Sequence, residues 1–372
     1  LSAGTGTKAI IFINQATANT TYSVTIDGVT VTDNTAGDST LSTDTIAADI
    51  KTGFDAGLTG FTISRNGPVL YVRKNDGSNF SIDGTDSQGD TKMTIIKDSV
   101  QRFTDLPVVS PNGYVVEIKG DDTTNFDNYY VKFVTNNGGF FEEGQWEETV
   151  EAGIKFKFNY DLMPHVLIRQ ADGDFRFARV DGDSYTAFTA QGSYSQSGTT
   201  VTVSSTGHDL STGDTITFQF TAGNGVNGSF VVTVVDANTF TYTAASSLTT
   251  SGTVKFGRTN GYTLPKWGER TVGDLISAPD PSFIGNSISN VFFFRNRLGF
   301  LAGDNVILSR VSEFFNFFPE TVVSVLDNEP IDVAASHTKV AILKSAVTMG
   351  ERLILFSDQT QFVLTSSADN LT

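Results

Sequence analysis

Short runs in which apolar and polar residues alternate recur along the chain, and turn-forming residues separate them. Thr20–Asp27 is the clearest run, and the Asp27-Gly28 pair that ends it is a hairpin turn signal. A period of two places successive side chains on opposite faces of an extended strand. The sequence therefore predicts a mainly β protein built from antiparallel strands and short turns.

One segment has helical spacing instead. Its apolar face is formed by Ile46, Ala47, Ile50 and Phe54. Ser42 or Asp44 can cap the N-terminus of this helix, and Gly57 marks its end. A single helix among strands predicts a small α+β domain at the start of the chain.

The length of 372 residues exceeds what one ordinary core supports, so several domains are expected. Prolines at 107 and 111 mark the first boundary. The predicted organisation is an N-terminal α+β domain at 1–105, the first part of a β domain at 106–188, an inserted β-sandwich at 189–257, and the continued β domain at 258–372.

The predicted insert differs in composition from its flanks. Residues 189–257 are rich in Thr and Ser, have few charges, and alternate in short strands with frequent turn signals. This pattern is typical of a small immunoglobulin-like β-sandwich. Because the flanking segments resemble parts of one domain, we interpret the sandwich as an insertion at a loop.

The stretch Val291–Phe318 contains eight phenylalanines. Two alternating runs on either side of the turn Ala302–Asn305 predict a hairpin in which Phe292 and Phe294 point to one face and Phe293 to the other. Further strands are predicted at 340–343, 352–357 and 361–365. Groups of three or four antiparallel strands are typical of propeller blades, so we expect a partial β-propeller.

Charge and composition exclude several classes of protein. The net charge of −16 argues against tight binding of a nucleic-acid backbone, which requires Lys and Arg at the phosphates. The chain has no cysteine for disulfides or thiolate metal sites, and no apolar run long enough for a transmembrane segment. No phosphate-binding glycine loop or nucleophile elbow is present, so no cofactor is expected. Because the chain begins at Leu1, we expect it to be a piece of a longer protein.

The strongest enzyme-like feature is an acidic cluster around an aromatic residue. Four carboxylates, Glu142, Glu143, Glu147 and Glu148, surround Trp146. Glycosidases use two carboxylates across the scissile bond, and an aromatic ring can hold the sugar, so these residues are candidates for glycan binding or hydrolysis. The alternative is a solvated acidic segment in which Trp146 packs against a strand.

Two other clusters are weaker candidates. Asp121, Asp122 and Asp127 could supply oxygen ligands to calcium, although they lack the spacing of a full calcium loop. Arg295 and Arg297, which flank Asn296, could bind phosphates. Arginines among phenylalanines more often extend their charged ends to solvent or pair with carboxylates, such as those of Glu313 or Asp327.

Several motifs in order along the chain resemble the nozzle proteins (tail tubular protein B) of short-tailed bacteriophages. They are SVQRFTDLP at 99–107, GYVVEIKG at 113–120, YYVKF at 129–133, GQWEETV at 144–150, MPHVLIR at 163–169, PSFIGNSISNVFFFRNRLGFL at 281–301, SRVSEFFNFF at 309–318 and NEPIDV at 328–333. The most characteristic residues are Phe293, Arg295, Asn296, Arg297, Phe314 and Phe317. The resemblance covers most of 95–188 and 262–364, and it implies a β-propeller within each subunit.

The resemblance implies a structural role in the virion tail. Such a protein would form a homo-hexameric tube, attach to the adaptor ring (tail tubular protein A), carry the tail fibres, and let DNA pass without specific binding. We therefore predict a structural tail protein with no chemistry of its own. The alternative is a tail protein that binds or hydrolyses glycans of the host surface.

Overall fold

The computed structural model describes residues 6–120, 128–169, 175–182, 184–185, 188, 190–258, 262–336, 341–367 and 370–371. The chain divides into two units, the first formed by Leu1–Lys157 with Glu269–Thr372 and the second by Phe158–Gly268. Strands dominate both units, as the alternating runs predict. None of the helices in the described ranges could span a membrane.

The first unit begins with two small sheets and the predicted helix. Their elements are β1 (Lys8–Ile13), β2 (Thr21–Ile26), β3 (Val29–Asn34), α1 (Thr43–Gly57), β4 (Phe61–Asn66), β5 (Val69–Lys74), β6 (Ile82–Asp86) and β7 (Met93–Ile96). The sheets have the orders β4-β5-β1-β7 and β3-β2-β6. The four predicted apolar residues of α1 are buried in the core between them. Ser42 and Thr45 form a reciprocal capping box, which confirms the predicted start of the helix.

A five-stranded sheet follows, with the order β8-β10-β11-β12-β9. Its elements are β8 (Ser99–Val100), a 3₁₀ turn (Phe103–Asp105), β9 (Val109–Pro111), β10 (Val115–Ile118), β11 (Tyr129–Thr135) and β12 (Phe141–Thr149). Ile10 and Tyr71, on the far side of the first sheet, share a core with Val116 and Phe133. The α+β region and the sheet that follows it are therefore packed on one another.

The second unit contains the segment predicted as a sandwich. Its elements are a 3₁₀ turn (Tyr160–Leu162), β13 (Val166–Arg169), β14 (Phe175–Ala178), β15 (Ser184–Tyr185), β16 (Ala190–Ser204), β17 (Thr215–Phe220), β18 (Gly228–Val231), β19 (Thr233–Asp236), β20 (Thr239–Arg258) and β21 (Tyr262–Thr263). The five strands β16, β17, β18, β19 and β20 are hydrogen-bonded into one continuous sheet, rather than into two separate sheets. A register shift between Gly198 and Thr200 interrupts the long β16–β20 pairing. This sheet encloses one hydrophobic core, and all its residues come from 190–256.

The last part of the first unit contains two further antiparallel sheets. Their elements are β22 (Ile288–Phe294), β23 (Arg297–Ala302), β24 (Asn305–Leu308), β25 (Ile331–Ala334), β26 (Leu343–Met349), β27 (Arg352–Ser357) and β28 (Gln361–Leu364), and the short pair β29 (Ser366–Ser367) and β30 (Asn370–Leu371) follows. Strands β22–β25 and β26–β28 each pair in chain order, as blade-like meanders do. Leu301 and Leu308 of the first sheet pack with Leu343 and Leu355 of the second.

Candidate functional site

Strand β12 carries the acidic cluster, and its alternation divides the four carboxylates between two faces. Glu142, Trp146 and Glu148 are partly buried on the face that meets the rest of the unit. Glu143 and Glu147 are exposed on the opposite face. The cluster is therefore not a single acidic surface.

Trp146 is a packing residue. Its indole Nε1–H donates to the carbonyl of Pro107 at 2.8 Å. Its ring meets the buried ring of Phe133 edge to face, with a centroid distance of 5.0 Å, and belongs to the core around β10 and β11. Because both its ring and its N–H are engaged, Trp146 does not offer a free platform to a sugar.

The spacing along β12 also differs from that of a glycosidase. Carboxylates on the same face are four or six residues apart, which corresponds to about 13–20 Å along a strand. Glycosidases place their two carboxyl groups about 5–9.5 Å apart across the bond. Neighbours such as Glu147 and Glu148 point to opposite faces. The strand does not present a pair of these acids across one bond.

Glu148 instead joins distant parts of the first unit. Its carboxylate accepts a hydrogen bond from the hydroxyl of Thr321 at 2.6 Å and another from the backbone N–H of Val322 at 2.8 Å. The C-terminal end of β12 also contacts Gly273, whose backbone N–H donates to the carbonyl of Thr149 at 3.1 Å. Glu148 therefore fixes the loop around 321 against β12.

The Phe-rich stretch forms two successive hairpins. The hairpin β23–β24 turns within the predicted loop Ala302–Asn305, and the hairpin β22–β23 precedes it. Phe292 and Phe294 pack toward the core, whereas Phe293 is 60% exposed. Arg295 and Asn296 form the turn, and both have positive φ angles, 47° and 59°. A turn of this kind matches the twist of a hairpin, but it usually contains glycine. Because neither residue is glycine, no local signal predicts a turn at this position.

Arg297 is an internal anchor. It is 4% exposed and donates to the carbonyls of Ser309 at 2.7 Å and Asp327 at 2.9 Å, and to that of Glu329. Burial lowers the pKa of its guanidinium below the ordinary value. The predicted pairing of Arg297 with the carboxylate of Glu313 or Asp327 is wrong. The loop presents backbone carbonyls to the guanidinium fork, and these fulfil the requirement for acceptors.

Two further arginines, which sequence reasoning did not single out, have similar roles. Arg270 is 2% exposed, donates to the carbonyl of Ala278 and to Asp280, and lies 4.8 Å from the ring centroid of Phe318. Arg310 is 8% exposed and pairs with Glu313 and Glu320. No local pattern predicts these roles, because the partners are carbonyls and acids brought close by the fold.

The remaining fingerprint residues are also packed. The ring of Phe317 is stacked on Phe300 with a centroid distance of 5.4 Å and meets Phe283 edge to face. Phe314 meets the exposed Phe293 edge to face at 5.5 Å. The candidates Asp121, Asp122 and Asp127 lie outside the described residues. Within the described ranges, no group of three His, Cys, Asp or Glu side chains is placed to hold a metal ion.

The comparison with known families agrees with these structural roles. The sequence profile described as "Bacteriophage nozzle protein" matches residues 2–372. The chain belongs to the bacteriophage nozzle protein family. The resemblance identified from the motifs is thereby confirmed, and membership makes the chain a structural component of the bacteriophage tail.

Among related proteins, "Tail tubular protein gp12" of Escherichia phage T7 is 28% identical to this nozzle-family chain over 323 residues. The aligned region covers 87% of this chain and 29% of that protein, so the chain spans less than a third of its relative's length. Among solved structures, the "Phage phi92 endosialidase" is 16% identical, with 72% of this chain and 43% of that chain covered. The TM-score of 0.18 is too low to support a common fold.

Proposed function

We propose that the chain is part of a nozzle subunit that assembles with identical copies into a hexameric tube at the tip of the tail. In this proposal DNA leaves the virion through the tube, and the adaptor ring (tail tubular protein A) and the tail fibres attach to it. Membership of the nozzle family and the similarity to a tail tubular protein of phage T7 support the proposal.

The observation that best supports the proposed passage of DNA is the burial of three arginines. Arg270, Arg297 and Arg310 are each less than a tenth exposed and bind carbonyls and carboxylates of the same unit. They are therefore unavailable to phosphates. The chain has 41 acidic and 25 basic residues, so carboxylates outnumber cations, and three of these cations are already engaged within the fold.

An acidic wall suits a tube through which DNA passes. Binding of DNA requires cations that replace its counterions, and a surface without them does not retain the duplex. The repulsion between the wall and the phosphates extends over about one Debye length, roughly 8 Å at physiological salt. The carboxylates would therefore keep moving DNA off the wall without holding it at a distance.

The experiment changes exposed carboxylates to lysine, one surface at a time, in assembled virions. Glu143 and Glu147 on the exposed face of β12 form the first set. Lysines in the channel should slow DNA ejection. Changing the same positions to glutamine, which removes the repulsion but adds no positive charge, should have a smaller effect. Ejection rates that stay unchanged for every surface would contradict the proposal.

A further inference from the structure

The sheet β26–β28 has apolar residues on both faces. Leu343, Leu353 and Leu355 on one face are buried against β22–β25. The register places eight residues on the other face, which we name the open sheet face: the five apolar residues Val347, Met349, Ile354, Phe356 and Val363, and the polar residues Ser345, Arg352 and Gln361. Four of the five, all except Ile354, are between 36% and 64% exposed.

A sheet of this kind is unusual unless something covers it. Antiparallel sheets with one face in water alternate apolar and polar residues, so their solvent face is polar. Large exposed apolar patches on soluble proteins mark surfaces that bind partners. The open sheet face therefore has the composition of a covered surface.

A second apolar surface lies on two loops of the same unit, residues 274–277 and 321–327, which we name the apolar loop pair. Leu275 and Ile276 are 57% and 60% exposed, and Val323 and Val325 are 60% and 88% exposed. The loops meet at their base, where a Cβ added to Gly273 would stand 2.8 Å from Cγ1 of Val322.

Hydrogen bonds hold both loops in place. Asp274 accepts from the backbone N–H groups of Ile276 and Ser277, each at 2.8 Å. At the other loop, Glu148 holds Val322, and both carboxylate oxygens of Glu329 accept from the N–H of Glu320 at 3.1 Å. These apolar side chains are displayed by ordered backbone, which lowers the entropic cost of binding a partner.

The two surfaces differ in charge. The segments 273–281 and 319–330, which contain the loops, carry five carboxylates and no lysine or arginine: Asp274, Asp280, Glu320, Asp327 and Glu329. Asp280 and Glu320 are paired with Arg270 and Arg310, so the excess negative charge comes from Asp274, Asp327 and Glu329. The open sheet face carries a cation, because Arg352 is exposed and is paired in register with Met349. An acidic apolar surface and an apolar surface with an arginine are complementary in charge.

We propose that the apolar loop pair of one copy of the chain packs on the open sheet face of the next copy. This inference rests on the proposed self-assembly and assigns the surfaces that carry it. The contact joins unlike surfaces, so it is heterologous, and a heterologous contact repeated between copies generates a ring when the rotation closes. The occupant of each surface is thus a second copy of this chain.

The chain has no cysteine, so single cysteines can test the contact without background. Chains carrying Val325→Cys and chains carrying Val363→Cys are mixed under mild oxidation. A disulfide-linked heterodimer is expected in the mixture. The matched control mixes Val325→Cys with Val226→Cys, a valine that is 56% exposed in the second unit, and should give much less. Linking no faster than this control, or homodimers of Val363→Cys alone, would overturn the proposal.

A second measurement separates this inference from the proposed function. The variant Val323→Ser with Val325→Ser should weaken self-association of the full chain about tenfold or more, because exposed anchors are lost while the fold is unaffected. If wild type and variant form the same oligomer by sedimentation, the assigned contact fails and self-assembly stands. If the wild type stays monomeric at millimolar concentration and no disulfide forms, the assigned contact also fails. The proposed function is then tested separately, by imaging the intact tail.

Discussion

The carboxylate of Glu148 accepts a hydrogen bond from the backbone N–H of Val322 at 2.8 Å, although 174 residues separate them in the chain. The bond connects β12 to the loop that precedes β25, and a second bond from Thr321 reinforces it. A residue that resembled half of a catalytic pair in the sequence is therefore a structural tie within the first unit.

Replacing Glu148 with glutamine should destabilise the first unit by about 1–3 kcal/mol, because hydrogen bonds to a charged acceptor are lost or weakened. Glu147→Gln is the matched control, because Glu147 is exposed on the opposite face of β12. This substitution should change stability by less than about 0.5 kcal/mol. Urea unfolding of both variants measures the difference. Equal stability of the two would show that the tie contributes nothing.

Arg297→Lys should destabilise the chain by about 3 kcal/mol. An ammonium cannot replace the guanidinium fork at the carbonyls of Ser309, Asp327 and Glu329, and unsatisfied buried acceptors are costly. Arg295→Lys, two residues away on the hairpin turn, is the control and should cost less than about 1 kcal/mol. Chemical denaturation tests both, and a tolerated Arg297→Lys would refute the anchoring role.

Tyr242 should make the second unit sensitive to alkali. Burial raises the pKa of its hydroxyl from the ordinary value of 10.0 to about 12, and its ring is stacked on Phe218 at 4.6 Å. A raised pKa in the folded state means that the neutral form stabilises folding below pH 10, and this contribution is lost as the pH rises toward 12. Tyr242→Phe should remove that loss. Identical pH profiles of unfolding for wild type and variant would show that Tyr242 does not cause the loss of stability in alkali.

Removing residues 189–257 should leave the first unit folded. Ala190 and Phe256, near the two ends of this segment, are cross-strand partners, so a short Gly-Ser linker can join the residues that flank it. The core residues of the segment all come from within it. Hydrogen exchange in β10–β12 should be unchanged in the shortened chain. Loss of protection in these strands would mean that the segment supports the rest of the chain. If tails still assemble with the shortened chain, the segment is an addition to the nozzle rather than part of its wall.

The sequence predicts what is local and periodic. The face of α1 from Ile46 to Phe54 and the opposed directions of Phe293 and Phe294 follow from spacing alone, and the structure confirms both. The turn at Arg295 and Asn296 was not predicted, because neither residue is the glycine that usually marks positive φ.

Long-range polar contacts were beyond local reasoning. The anchoring of Arg297 depends on carbonyls some 30 residues away, and that of Glu148 on a loop 174 residues away. Which backbone groups face a buried charge is decided by how the sheets pack, and no motif records it. Resemblance to a family identified the class of protein, whereas the role of each charged residue required coordinates.

In the proposed function this chain forms the wall of a tube through which DNA leaves the virion. Cryo-electron microscopy of the intact tail, with the two units fitted separately into the map, locates the chain. We expect a hexameric ring of this chain at the tip of the tail, with carboxylates rather than arginines facing the channel. A channel lined by another protein, with this chain confined to the exterior of the tail, would contradict it.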